Sequence, residues 1–190
     1  HTAPLMTQIE RLHVERISVE QGLSQTTIFG MIQDRRGFMW FGTEDGLNRY
    51  DGYHFRIFKN DPFDSTSLSN NYINNLYEDR RGFIWVMTLE GVNRYNPHDE
   101  KFLRFKRNND TATLSGYHVE FMAEDSSGHL WCATDRGLLL RTDENGTIQE
   151  RWNPRSAGDE SAVQNLQIEK SGSIFLSTNS GLYICDPLQR

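Results

Sequence analysis

Short apolar runs alternate with charged or glycine-bearing turns along this chain, and the alternation repeats. From Ile28 to Lys59 it reads IFGMIQDRRGFMWFGTEDGLNRYDGYHFRIFK, and from Ile73 to Lys106 INNLYEDRRGFIWVMTLEGVNRYNPHDEKFLRFK. Val119 to Trp152 gives a third copy, VEFMAEDSSGHLWCATDRGLLLRTDENGTIQERW, and a more divergent fourth begins at Val163. Gly37, Gly82, Gly128 and Gly172 follow one another at 45, 46 and 44 residues, and Trp40, Trp85, Trp131 and Phe175 keep step with them. Gly46, Gly91, Gly137 and Gly181 hold the same spacing. A period in the mid-forties with strand-like pattern inside each unit predicts propeller blades.

Within the second copy four strands can be placed. The first, Ile73 to Asp79, has apolar residues at Ile73 and Leu76 rather than strict alternation, which suggests a crowded inner strand. The turn Asp79-Arg80-Arg81-Gly82 follows. Its aspartate suits the first turn position and its glycine the left-handed exit. Phe83 to Thr88 carries the tryptophan, Val92 to Tyr95 follows a second turn, and Phe102 to Lys106 is outermost. Four antiparallel strands make a blade. The expected fold is all-β, with four blades' worth of chain forming part of a larger propeller.

The two ends read as halves of one blade. LHVERISVEQGLS from Leu12 matches the close of later units, HFRIFK leading to Ser67-Leu68-Ser69 and FLRFK leading to Leu114-Ser115. The C-terminal copy stops after three strands. Residues 12–190 are therefore expected to form the array: 12–27 the outer strand and lead-in loop of a split blade, 28–72, 73–118 and 119–162 three complete blades, and 163–190 the inner three strands of the split one. Residues 1–11 carry no pattern and are expected to be a disordered or processed end.

Composition narrows the function. Of 190 residues, 36% are hydrophobic and 12% aromatic, which fits a buried seam between blades better than one large core. A net charge of −6 argues against nucleic-acid binding by this segment. No apolar run reaches the roughly 20 residues of a membrane helix. Cys132 and Cys185 read as small buried hydrophobes, with a disulfide or reactive thiol as the alternatives.

Residues present in every copy are expected to build rather than bind. Trp40, Trp85 and Trp131 should each bury a broad apolar face, worth about 2–3 kcal/mol. Asp34, Asp79, Asp125 and Glu169 read as turn residues, not as catalytic pairs or metal ligands. Arg35-Arg36 and Arg80-Arg81 read as solvated turns, with an anion-binding rim as the alternative. Asn48-Arg49-Tyr50 and Asn93-Arg94-Tyr95, replaced by Leu139-Leu140-Arg141, read as blade-edge positions. The scattered histidines and the lack of nucleophile or phosphate motifs point to no catalytic set, and no metal or cofactor is expected.

Positions that differ between copies are the candidates for recognition. They fall on loops of about a dozen residues that lead into each inner strand, and on the turns between second and third strands. Asn71, Tyr72, Tyr117, His118, Glu44, Asp135 and Arg136 supply hydrogen bonding and aromatic surface, a combination suited to an oligosaccharide or another small polar ligand.

Gly22-Leu23-Ser24, followed by IQDRRGFMWFGTEDGLNRYDG from Ile32 to Gly52 and by SLSNNYINNLYEDRRGFIW, resembles the two-component regulator propeller repeat. The similarity is greatest to the periplasmic sensor region of Bacteroides-type hybrid two-component systems. The resemblance implies a non-catalytic periplasmic segment of a sensor histidine kinase/response regulator. Such a segment recognises an oligosaccharide and controls transcription of glycan-use genes, and it is held to the membrane only through a downstream helix. The chain departs from the family in length, and an open arc of four blades exposes two apolar faces and a strand edge. A fragment of a longer protein, whose remaining blades are partners and which self-associates into a homo-oligomer, is expected, with a ring closed by two copies or a small four-bladed ring as the alternatives. The resemblance carries over no binding residue. A propeller enzyme of lyase type, or a non-catalytic dimerisation scaffold, are the alternatives.

Overall fold

A computed structural model describes residues 14–154 and 161–186. The expected end at 1–11 lies outside them. The first blade comprises β1 (Ile28–Gln33), β2 (Met39–Thr43), β3 (Gly46–Tyr50) and β4 (Phe55–Phe58), and the second β5 (Ile73–Glu78), β6 (Ile84–Thr88), β7 (Gly91–Asn96) and β8 (Lys101–Lys106). β9 (Val119–Glu124), β10 (Leu130–Thr134), β11 (Leu139–Thr142) and β12 (Ile148–Trp152) form the third; β13 (Val163–Ile168), β14 (Ile174–Thr178) and β15 (Gly181–Cys185) form a three-stranded fourth. Every pairing is antiparallel between chain neighbours.

The blades stack in chain order. β1 lies against β5, β5 against β9 and β9 against β13, so these are the inner strands; no packing of comparable extent joins β13 to β1. Three apolar seams hold the stack. Trp40, Leu47 and Leu68 meet Ile73, Leu76, Ile84 and Val86 between the first two blades. Trp85, Met87 and Val92 meet Val119, Met122, Leu130 and Cys132 between the next two, and Trp131 meets Val163, Leu166, Ile174 and Leu176 between the last two. Each tryptophan thus faces the following blade. Cys132 is fully buried, which pushes its thiol up to about 12, and Cys185 is raised by partial burial; both are free thiols.

Each repeated aspartate does more than turn the chain. One Asp79 oxygen accepts the amides of Arg81 and Phe83, and the other accepts the Trp85 indole N–H at 2.9 Å. Asp34 with Trp40 and Asp125 with Trp131 repeat the arrangement. In the fourth blade Glu169 and Phe175 have changed together, since a phenyl ring has no N–H to give. Gly82 closes the turn with φ +86°, and a Cβ on Gly91 would sit 2.2 Å from the Phe105 carbonyl oxygen.

One reading needs extending and three need correction. The arginine-bearing turns are exposed, as expected, but they also bridge blades. Arg35 Nε reaches Glu78 of the next blade at 2.9 Å, and Arg80 pairs with Glu124 while donating to the Asp125 carbonyl at 2.8 Å, so both clamp adjacent blades. Between the third and fourth blades arginine and acid vanish together, to Ser126 and Ile168. Asn48 and Asn93 are not edge positions but fully buried. Asn93 accepts the Ser69 amide and donates to the Ser69 hydroxyl, tying the preceding loop to its blade, as Asn48 does with Ser24.

Gly137 is out of step. Trp131 pairs with Arg141 as Trp85 pairs with Arg94, so the turn before β11 is one residue longer and the third copy keeps its arginine. Finally, of the expected N-terminal outer strand, residues 12–13 lie outside the described residues and Val14–Ser18 join no ladder. A strand forms only against a free edge. The first sheet already ends in β4, and β15, the edge that would match, is at the other end of the stack. The chain instead makes a 3₁₀ turn, Val19–Gln21, capped by Ser18, before Leu23 and Ser24 dock.

Candidate functional site

Two of the loops that cross from an outer strand to the next inner strand, 60–72 and 107–118, are fixed in place. Arg104 of β8 points its guanidinium into the 60–72 loop, donating to the carbonyls of Ser67 at 2.7 Å and Asp64 at 2.6 Å. Arg151, at the same position of β12, donates to the Thr111 carbonyl in the 107–118 loop. With Leu68 and Leu114 fully buried in the seams, each of these loops is held by an arginine and a buried leucine. Walls of this kind exist before a ligand arrives.

Two clefts open on this loop face. The first, about 490 Å³, brings together Glu44, Asn71 and Tyr72 with Asn60, Asn70, Glu90, Arg104 and Lys106. Here Asn71 already accepts the Asn60 amide at 2.7 Å, and its carbonyl accepts the Gly46 amide at 2.8 Å. Glu44 accepts from the Gln25 side chain at 2.9 Å. Tyr72 stacks on Phe29, ring centres 5.1 Å apart.

The second cleft, about 380 Å³, gathers Tyr117, His118, Asp135 and Arg136 with Arg107, Asn108 and Asn109. His118 is its centre and is mostly buried. Its Nε2 lies 3.1 Å from the Asn74 side-chain nitrogen and 3.8 Å from Glu120, while Nδ1 lies 3.7 Å from Asp135. The candidate residues therefore divide between two clefts on successive seams. No cluster suited to a metal ion occurs among the described residues.

Sequence reasoning missed one feature. Each inner strand carries a bulge just after its first residue, which leaves Phe29, Asn74, Glu120 and Gln164 without a partner across the ladder. The signal was the three-residue apolar spacing. Ile73 and Leu76 are both buried because Asn74 is extra, and Val119 with Met122 and Val163 with Leu166 behave alike. Phe29 touches Tyr72, and Asn74 touches His118, so the bulged residue of one blade meets the lead-in residue of the next.

Comparison with known proteins follows this geometry. The two-component regulator propeller family model matches residues 22–45 and 67–90. A 48-residue stretch is 52% identical to histidine kinase P4 of Formosa agariphila, covering 25% of this chain and 4% of that protein. Among solved structures, the extracellular domain of a one-component system of B. thetaiotaomicron superposes with TM-score 0.75 at 21% identity over 94% of this chain and 26% of its own. The extracellular domain of a hybrid two-component system from the same organism gives 0.70 at 24% identity, over 92% and 30%. Virginiamycin B lyase of Staphylococcus aureus gives 0.60 at 12% identity, over 85% and 56%. The chain thus spans about a quarter to a third of the two extracellular domains it resembles in fold. Two of its stretches thus match the two-component regulator propeller model, and its fold is a stack of β-propeller blades.

Proposed function

We propose that this segment is the extracytoplasmic, periplasmic ligand-sensing part of a hybrid two-component sensor, and that its clefts recognise an oligosaccharide to control glycan-use genes. The observation that carries the reading is the pair of pre-set clefts on a scaffold of two-component regulator repeats. Asparagines, tyrosines, a histidine and carboxylates line them, and such groups both give and take hydrogen bonds while offering ring faces, as sugar hydroxyls and C–H surfaces require. No helix among the described residues is long and apolar enough to cross a membrane.

The partners follow from exposed apolar surface. Ile28 and Met31 on the first blade and Leu182 on the fourth occupy positions that other copies bury in a seam, and Ile184 stands where the other copies carry an arginine; Met31 is 68% exposed and Ile184 64%. Further blades of a longer protein, or a second copy, would cover them. A lyase-type enzyme is the second reading, favoured by the shared fold and by His118 between two carboxylates. Titration calorimetry against plant and host oligosaccharides, with product analysis of the same samples, tests both. Binding without turnover is expected. Turnover would favour the enzyme, and absence of binding to any saccharide would overturn the sensing reading.

A further inference from the structure

We infer that the four bulged side chains, Phe29, Asn74, Glu120 and Gln164, form one reading row along the inner rim, and that the row takes an elongated, neutral, hydroxyl-rich chain. The inference rests on the sensing reading and assigns the residues and ligand class within it.

The four residues sit at the same step of four equivalent strands. None has a partner across the ladder, and none belongs to an apolar seam. A bulge turns one side chain away from the face its neighbours occupy. The position before each bulged residue is isoleucine or valine in all four copies, and the one two residues after it is Met31, Leu76, Met122 or Leu166, because the seams need them. The bulged positions are phenylalanine, asparagine, glutamate and glutamine. A purely architectural role would favour one residue type, as it does for the aspartate–tryptophan pairs, so the variety is the mark of recognition. All four retain exposed surface, and Phe29 is 44% exposed.

The chemistry runs in order along the stack. Phe29 and Tyr72 present a stacked aromatic step at the first seam. Asn74 and His118 present an amide–imidazole pair at the second. Glu120 follows, its carboxylate within 3.8 Å of His118 and part-exposed, and Gln164 ends the row. Aromatic surface beside groups that accept and donate suits pyranose rings and hydroxyls. Glu120 and Asp135 about His118 are matched by Arg107 and Arg136 of the same cleft, so no net charge there selects an anionic or a cationic chain. A ligand contacting more than one step must lie across the blades.

The test is calorimetric titration of the chain with neutral glucan, mannan, xylan and arabinan hexasaccharides, with an oligogalacturonide and spermidine as charged probes. At least one neutral hexasaccharide should bind. Phe29→Ala and Asn74→Ala should each weaken it about tenfold, Glu120→Gln several-fold, and Tyr53→Ser, on an outer turn, should change nothing. Glu120→Gln is isosteric and serves as the variant least able to disturb folding, which thermal melts monitor. Neutral-sugar affinity unchanged in all three row variants overturns the row but leaves sensing intact. Binding of only the oligogalacturonide or spermidine overturns the neutral class. No binding by any saccharide overturns the sensing reading and this inference with it.

Discussion

Trp85 has no exposed surface, stacks on Phe105 with ring centres 5.7 Å apart, and gives its indole N–H to Asp79. Removing it would leave a cavity at a seam and a buried carboxylate oxygen without its donor. Trp85→Ala should cost about 3–5 kcal/mol, a large share of a domain's stability, whereas Tyr117→Ala and His118→Ala should stay within about 1 kcal/mol of the parent. Urea titration followed by circular dichroism measures all three, and an unshifted midpoint for Trp85→Ala would refute its structural role. The same residue-level logic separates building from recognition elsewhere. Asp34, Asp79 and Asp125 are committed to three hydrogen bonds each, so no spare carboxylate remains there for chemistry.

At the scale of elements, the crossing loops owe their order to arginines from the outer strands. Arg104→Ala should free the 61–67 segment, raising its amide hydrogen exchange about tenfold while exchange in β6 stays slow; equal protection in parent and variant would show that the loop is held by other means. Strand positions were readable from the sequence because each turn carries its own chemistry. β6, expected at Phe83 to Thr88, is Ile84–Thr88, and β8, expected at Phe102 to Lys106, is Lys101–Lys106. That the lead-in loops and the turns between second and third strands share a face was readable too, since both leave the blade at one end, but the division of the seven candidates between two clefts was not. The bulges were not. An extra residue shifts the apolar spacing from two to three, and without a ladder partner to count against, Ile73 and Leu76 look like crowding. The roles of Arg35 and Arg80 were hidden for another reason: their acceptors are 43 to 45 residues away, on another blade.

At the scale of the molecule, seams connect only neighbours, so stability accumulates blade by blade. The outer faces of the first and fourth blades repeat the seam chemistry without a covering blade. The proposed contact between copies predicts concentration-dependent association of the chain in sedimentation velocity, reversed by Met31→Lys or Ile184→Lys; a monomer at every concentration would remove that partner. The anchoring of the crossing loops has a mechanical corollary. Ser69 and Arg104 fasten the 60–72 loop to the second blade, while Glu44 on the opposite wall of the same cleft rides on the first. A guest wedged there would grip two stiff plates at once, and would register as a change in the pitch of the stack, with no need for either plate to deform.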